Sequence, residues 1–104
     1  MKQTVEWLES QDFYLIGDTD RRSYYPAIIG IARDNSHIVY SREKLIDCFM
    51  KANDWSYEEA EEWVDYNVER ALPYYGEGAP KIRNALAIYP QNKKYTSLKI
   101  ILDI

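Results

Sequence analysis

A chain of 104 residues with 46% apolar and 29% charged side chains, and four each of Gly and Pro, has the balance of one globular domain and is too short to divide into two. The single Cys48 excludes an internal disulfide, and one Cys with one His excludes a typical zinc site. The net charge of -4 is unevenly spread: between residues 53 and 80, Asp54, Glu58, Glu59, Glu61, Glu62, Asp65, Glu69 and Glu77 face only Arg70, which argues against nucleic acid as the partner of that region, because phosphate contacts need Lys and Arg.

The opening residues lack the apolar run of a secretory signal, and no later stretch approaches the ~20 apolar residues of a membrane span, so the expected location is the cytoplasm with no membrane contact. Val5 and Leu8, three apart with Trp7 between, suggest a short helix over 4–9. Residues 13–16 are aromatic and β-branched and read as a strand, followed by a polar loop from Gly17 to about Arg22. Segment 24–32 is continuously apolar, as expected of a central strand covered on both faces, with Pro26 near its start. Arg33-Asp34-Asn35-Ser36 supplies turn residues before the β-branched His37-Ile38-Val39-Tyr40, so a hairpin and an at least partly antiparallel sheet follow.

Ser41 offers an N-cap to a helix over 42–52, whose Leu45, Ile46, Phe49 and Met50 recur at helical spacing. Asn53-Asp54-Trp55 interrupts it. Ser56, with Glu59 three residues on, forms a capping box for a second helix over 57–72, and Ala60, Trp63, Val64, Val68, Ala71 and Leu72 mark its expected buried stripe. Pro73 is expected to end this helix, and a Gly-rich loop then leads to Ile82. Segment 84–89 has no clear period, whereas 98–104 alternates around Lys99 and Asp103 and reads as a closing strand. The fold class is α+β: a small mixed or antiparallel sheet packed against two main helices, in a single domain over 1–104.

The order Ile38-Val39-Tyr40, a helix, Ser56-Tyr57-Glu58-Glu59-Ala60, then Tyr66-Asn67, Gly76 and Pro80 resembles a group of small uncharacterised proteins encoded by phages and prophages of Gram-positive bacteria. The resemblance spans 38–82, under half of the chain, and rests on capping and packing residues. It implies a context, the cytoplasm of a bacterial host, and a class of role, because some comparable small acidic phage proteins inhibit host defence, as anti-CRISPR proteins do.

Catalytic motifs are weak. His37 is the only histidine and lies beside a turn, where an exposed hairpin residue is expected. Cys48 falls between Leu45 and Phe49, where a free thiol packs as a small hydrophobe. Gly76-Glu77-Gly78 follows a helix instead of joining a strand to one, and Glu77 would repel phosphate. Asp18-Thr19-Asp20 lacks the further oxygen ligands of a calcium loop. The chain therefore reads as non-catalytic and without a cofactor.

Binding has a better physical basis. Glu58, Glu61, Glu62, Asp65 and Glu69 are expected to face water along the second helix as one continuous acidic surface able to meet a basic groove, with Trp55, Tyr57, Tyr66, Tyr74 and Tyr75 as neighbouring aromatic anchors. The expected partner is a host protein with a basic surface, such as a nucleic-acid-binding enzyme that the chain inhibits; the chain itself would be a monomer or homodimer. Three alternatives stay open. One is self-assembly through tyrosine-rich edge strands that include Tyr24 and Tyr25. Another is single-stranded nucleic-acid binding by Lys81, Arg83, Lys93, Lys94 and Lys99 with Tyr89 and Tyr95. The last is a small-ligand pocket.

Overall fold

The computed structural model describes residues 2–84, 95–97 and 99–101. Strand β1 (Lys2–Thr4) runs directly into helix α1 (Val5–Ser10), and a 3₁₀ helix (Asp18–Ala27) precedes β2 (Ile28–Ala32). Then come β3 (Ile38–Ser41), α2 (Arg42–Asn53) and α3 (Tyr57–Trp63), which continues as a π-helical stretch (Val64–Val68) and a final 3₁₀ stretch (Glu69–Tyr75). Three short strands follow: β4 (Lys81–Arg83), β5 (Tyr95–Ser97) and β6 (Lys99–Ile101). The class is α+β, as the sequence leads one to expect.

Two sheets result. The larger has the order β4-β3-β2-β5, with β2 antiparallel to both β3 and β5 and β4 parallel to β3. The β2–β3 hairpin register passes from Ile28↔Tyr40 to Gly30↔Val39, so Ile29 is an extra residue that forms a bulge. The parallel β3–β4 pair requires the chain to cross over between them, and α2 and α3 are that crossover. The smaller sheet pairs β1 with β6 in parallel.

The core lies where α2 and the 3₁₀ helix pack against the inner strands. Every residue of β2 and β3 is buried, as are Leu45, Ile46, Cys48 and Phe49 of α2. Both helix caps form as expected. Ser41 accepts from the Lys44 N–H at 3.3 Å, and Ser56 and Glu59 complete the reciprocal capping box. Asp54 adopts a left-handed conformation (φ 55°), which ends α2 and turns the chain into α3.

Three expectations are corrected. Residues 13–16 form no strand; the Ile16 N–H instead donates to the buried Tyr40 hydroxyl at 3.1 Å, a side-chain contact that replaces a ladder bond. The loop after Gly17 and the first half of the apolar run at 24–32 are together one 3₁₀ helix containing Pro26, and Tyr24 and Tyr25 are buried on it, 5% and 1% exposed. Pro73 lies inside the last 3₁₀ stretch, which Gly76 ends with φ 76°. The segment at 84–89 falls, apart from Asn84, outside the described residues, and of the expected closing strand only 99–101 is described.

Glu9 fastens α1 to the 3₁₀ helix. It accepts from Arg22 Nη2 at 2.7 Å and Nε at 2.9 Å and from the Tyr25 hydroxyl at 2.7 Å. Arg22 first, then Tyr25, stabilise the carboxylate and hold its pKa near 2, down from an ordinary 4.5. A pKa lower in the folded than in the unfolded chain contributes stability above the unfolded value and loses it as pH falls towards the folded one. Melting temperatures of the wild type and Glu9→Gln should therefore differ at neutral pH, converge as pH drops below about 4.5, and coincide only once pH has fallen through about 2. A gap that stays constant across this window would mean that the charge of Glu9 plays no part.

Candidate protein-binding face

The crossover helix has a period of four. Ala60, Val64 and Val68 are buried in one row. Glu61, Asp65 and Glu69 form the next row, and all three reach Arg42, the first residue of α2, at 3.4, 2.5 and 3.1 Å. Glu58, Glu62 and Tyr66 form an exposed row. An α-helix turns once per ~3.6 residues, so side chains four apart drift steadily around its axis. A π turn, closed by i→i+5 bonds, is wider. Inserting one at Val64–Val68 offsets the drift and keeps each row in line from residue 58 to 69.

The five carboxylates are thus divided, which corrects the expected continuous acidic surface. Three are gathered on Arg42, where the hydrogen bond to Asp65 is the leading cause of a guanidinium pKa raised well above its ordinary value. Glu58 and Glu62 are exposed and have no ion-pair partner among the described residues. The division follows from chain geometry: Arg42 lies in sequence before the whole acidic run, and only the turn at Asp54 brings α2 alongside α3.

The aromatic residues are also redistributed. Trp63, expected in the buried stripe, is 42% exposed, because the four-residue period places it beside the outward row. Tyr66 is 52% exposed, and the Arg70 guanidinium lies 4.2 Å above its ring, within cation–π range. With Trp55, Glu59, Glu62 and Asn67 these two rings line a surface groove of about 350 Å³. Tyr57 is exposed on the opposite side of the outward row and donates to the Glu43 carboxylate at 3.3 Å. Tyr74 stands 90% exposed, while Tyr75 stacks on Tyr14 with centroids 5.4 Å apart.

No protein-family model matches the chain, and no curated protein or solved structure is significantly similar to it.

The remaining polar candidates are structural in their surroundings. His37 is half-buried, not exposed as expected: its Nε2 lies 3.3 Å from the Tyr95 hydroxyl, its Nδ1 lies 2.9 Å from Ser36 Oγ, and burial lowers its pKa. Burial also pushes the Cys48 thiol up to about 11, so it stays protonated at neutral pH. Among the described residues no group of His, Cys, Asp and Glu could hold a metal ion, and no helix is long and apolar enough to cross a membrane. Tyr24 and Tyr25, the residues named for strand pairing between copies, are interior to the 3₁₀ helix and therefore unavailable for it. Sequence reasoning missed Arg42 and Trp63; the four-residue spacing of acidic and apolar side chains was the available signal for both.

Proposed function

We propose that the chain is a non-catalytic protein-binding module that docks the outward row of α3 and its aromatic groove onto a basic protein surface. The observation that carries this reading is the placement of two exposed carboxylates with no ion-pair partner among the described residues, Glu58 and Glu62, beside two exposed rings, Trp63 and Tyr66. Exposed Trp and Tyr bury much area at little entropic cost and dominate interface energies, whereas rim charges mainly set association rate and specificity. The phage resemblance suggests the kind of partner: a nucleic-acid-binding host enzyme, inhibited in the bacterial cytoplasm, whose basic surface is the complement of this face.

The test begins with capture of a partner from bacterial lysate at low and high salt, followed by kinetics with the purified pair. Replacing Glu58 and Glu62 together by Gln, which leaves the contacts of Arg42 in place, should slow association several-fold at low salt and flatten its salt dependence. Trp63→Ala should chiefly accelerate dissociation. Unchanged kinetics in both variants would refute the proposal.

A further inference from the structure

A second cavity, of about 410 Å³, opens next to the groove and shares Trp55, Trp63 and Asn67 with it. Its wall is a continuous series of rings. Tyr24 stacks on Phe49 with centroids 4.3 Å apart, Phe49 faces Trp55 at 6.5 Å and 9°, and Trp55 meets Trp63 at 5.3 Å. The polar residues on the lining are Asp20, Asn53 and Asn67, with the hydroxyl-bearing Tyr24 and Tyr75. Among the described residues no Lys or Arg lines the cavity, and Asp20 has no ion-pair partner.

The charge pattern selects the occupant. Aromatic faces carry the negative side of the ring quadrupole and attract cations most strongly where water is partly excluded. Here five aromatic residues, the acidic Asp20 and the amide-bearing Asn53 and Asn67 line one concave space, with Glu59 and Glu62 on the adjoining groove. An anion would meet only acidic charge. A neutral apolar group would gain nothing from Asp20, which stands exposed at the edge of the cavity. The Tyr66 ring of the neighbouring groove already holds a guanidinium, that of Arg70.

We propose that this cavity is the seat for one cationic side chain, an arginine or lysine, of the docked protein. The assignment rests on the protein-binding reading and deepens it: the exposed row of α3 steers a basic surface in, and the cavity takes one of its side chains as an anchor.

The seat can be tested on the full chain without the partner. Capped N-acetyl-arginine methylamide is titrated into labelled protein while the three indole N–H signals are followed by NMR. Trp55 and Trp63 should shift saturably at millimolar concentrations, as suits a single side chain, and Trp7, which packs on Phe13 away from the cavity, should not. The neutral isostere, capped citrulline, should bind about fivefold more weakly, and Asp20→Asn should reduce the preference for arginine. No saturable shift, or equal shifts by arginine and citrulline, would overturn the assignment. Free arginine binding far more tightly than the capped form would overturn it in favour of a small-molecule site. An arginine-selective shift combined with partner kinetics unchanged by Glu58→Gln and Glu62→Gln would support the seat while refuting the acidic docking row. Slowed partner association without any probe binding would do the reverse.

Discussion

Gly17→Ala should lower the free energy of unfolding by about 3 kcal/mol, read from urea denaturation. Gly17 starts the 3₁₀ helix with φ 104° and ψ -2°, a backbone conformation that favours glycine. Strain alone accounts for about 1 kcal/mol of the loss. The rest is steric: an added Cβ would lie 2.6 Å from Tyr24 Cε2 and 3.1 Å from Arg21 Cα. The Tyr24 ring is wedged against Phe49 and cannot withdraw without breaking that stack. A loss of no more than about 1 kcal/mol, the backbone strain alone, would show that the Tyr24 contact contributes nothing.

The second large effect concerns Arg42. Its side chain is only 20% exposed and is shared by Glu61, Asp65 and Glu69. Arg42→Met retains the apolar stem but leaves three carboxylates close together without their counter-charge. Exposed pairs contribute little, and breaking a buried pair costs about 3–5 kcal/mol; this half-buried network lies between, so a loss of about 2 kcal/mol is expected. The loss should shrink at high salt, which screens the remaining repulsion, and adding Asp65→Asn should restore part of it. Arg42→Lys should recover less than half, because an ammonium cannot present the planar fork of donors that serves three acceptors. A loss below 0.5 kcal/mol in Arg42→Met, the range of ordinary surface substitutions, would show that the network is not structural.

What could be read from the sequence was what is local. Ser41, Ser56 and Glu59 act within three residues of themselves, and their caps form as expected. The β2–β3 hairpin is equally local, with turn residues lying between two β-branched runs. Tyr24-Tyr25-Pro26-Ala27 misled because an apolar run is compatible with any fully buried element, and only the surroundings decide between strand and 3₁₀ helix. Ile16 misled for a related reason: its N–H is satisfied by a tyrosine 24 residues away, which no local pattern announces. The candidate site was half legible. Its residue types and helix were apparent, but the π stretch, which keeps Glu69 in line with Glu61 and Asp65 on Arg42, depends on i→i+5 bonding that a 3.6-residue template does not contain.

The four-residue ranks of the crossover helix separate its duties by position. Interior packing rests on Ala60, Val64 and Val68, fastening to the neighbouring helix on Glu61, Asp65 and Glu69, and contact with the outside on Glu58, Glu62 and Tyr66. Because no residue belongs to two ranks, a substitution in the outer one leaves the packing and fastening contacts beneath it in place.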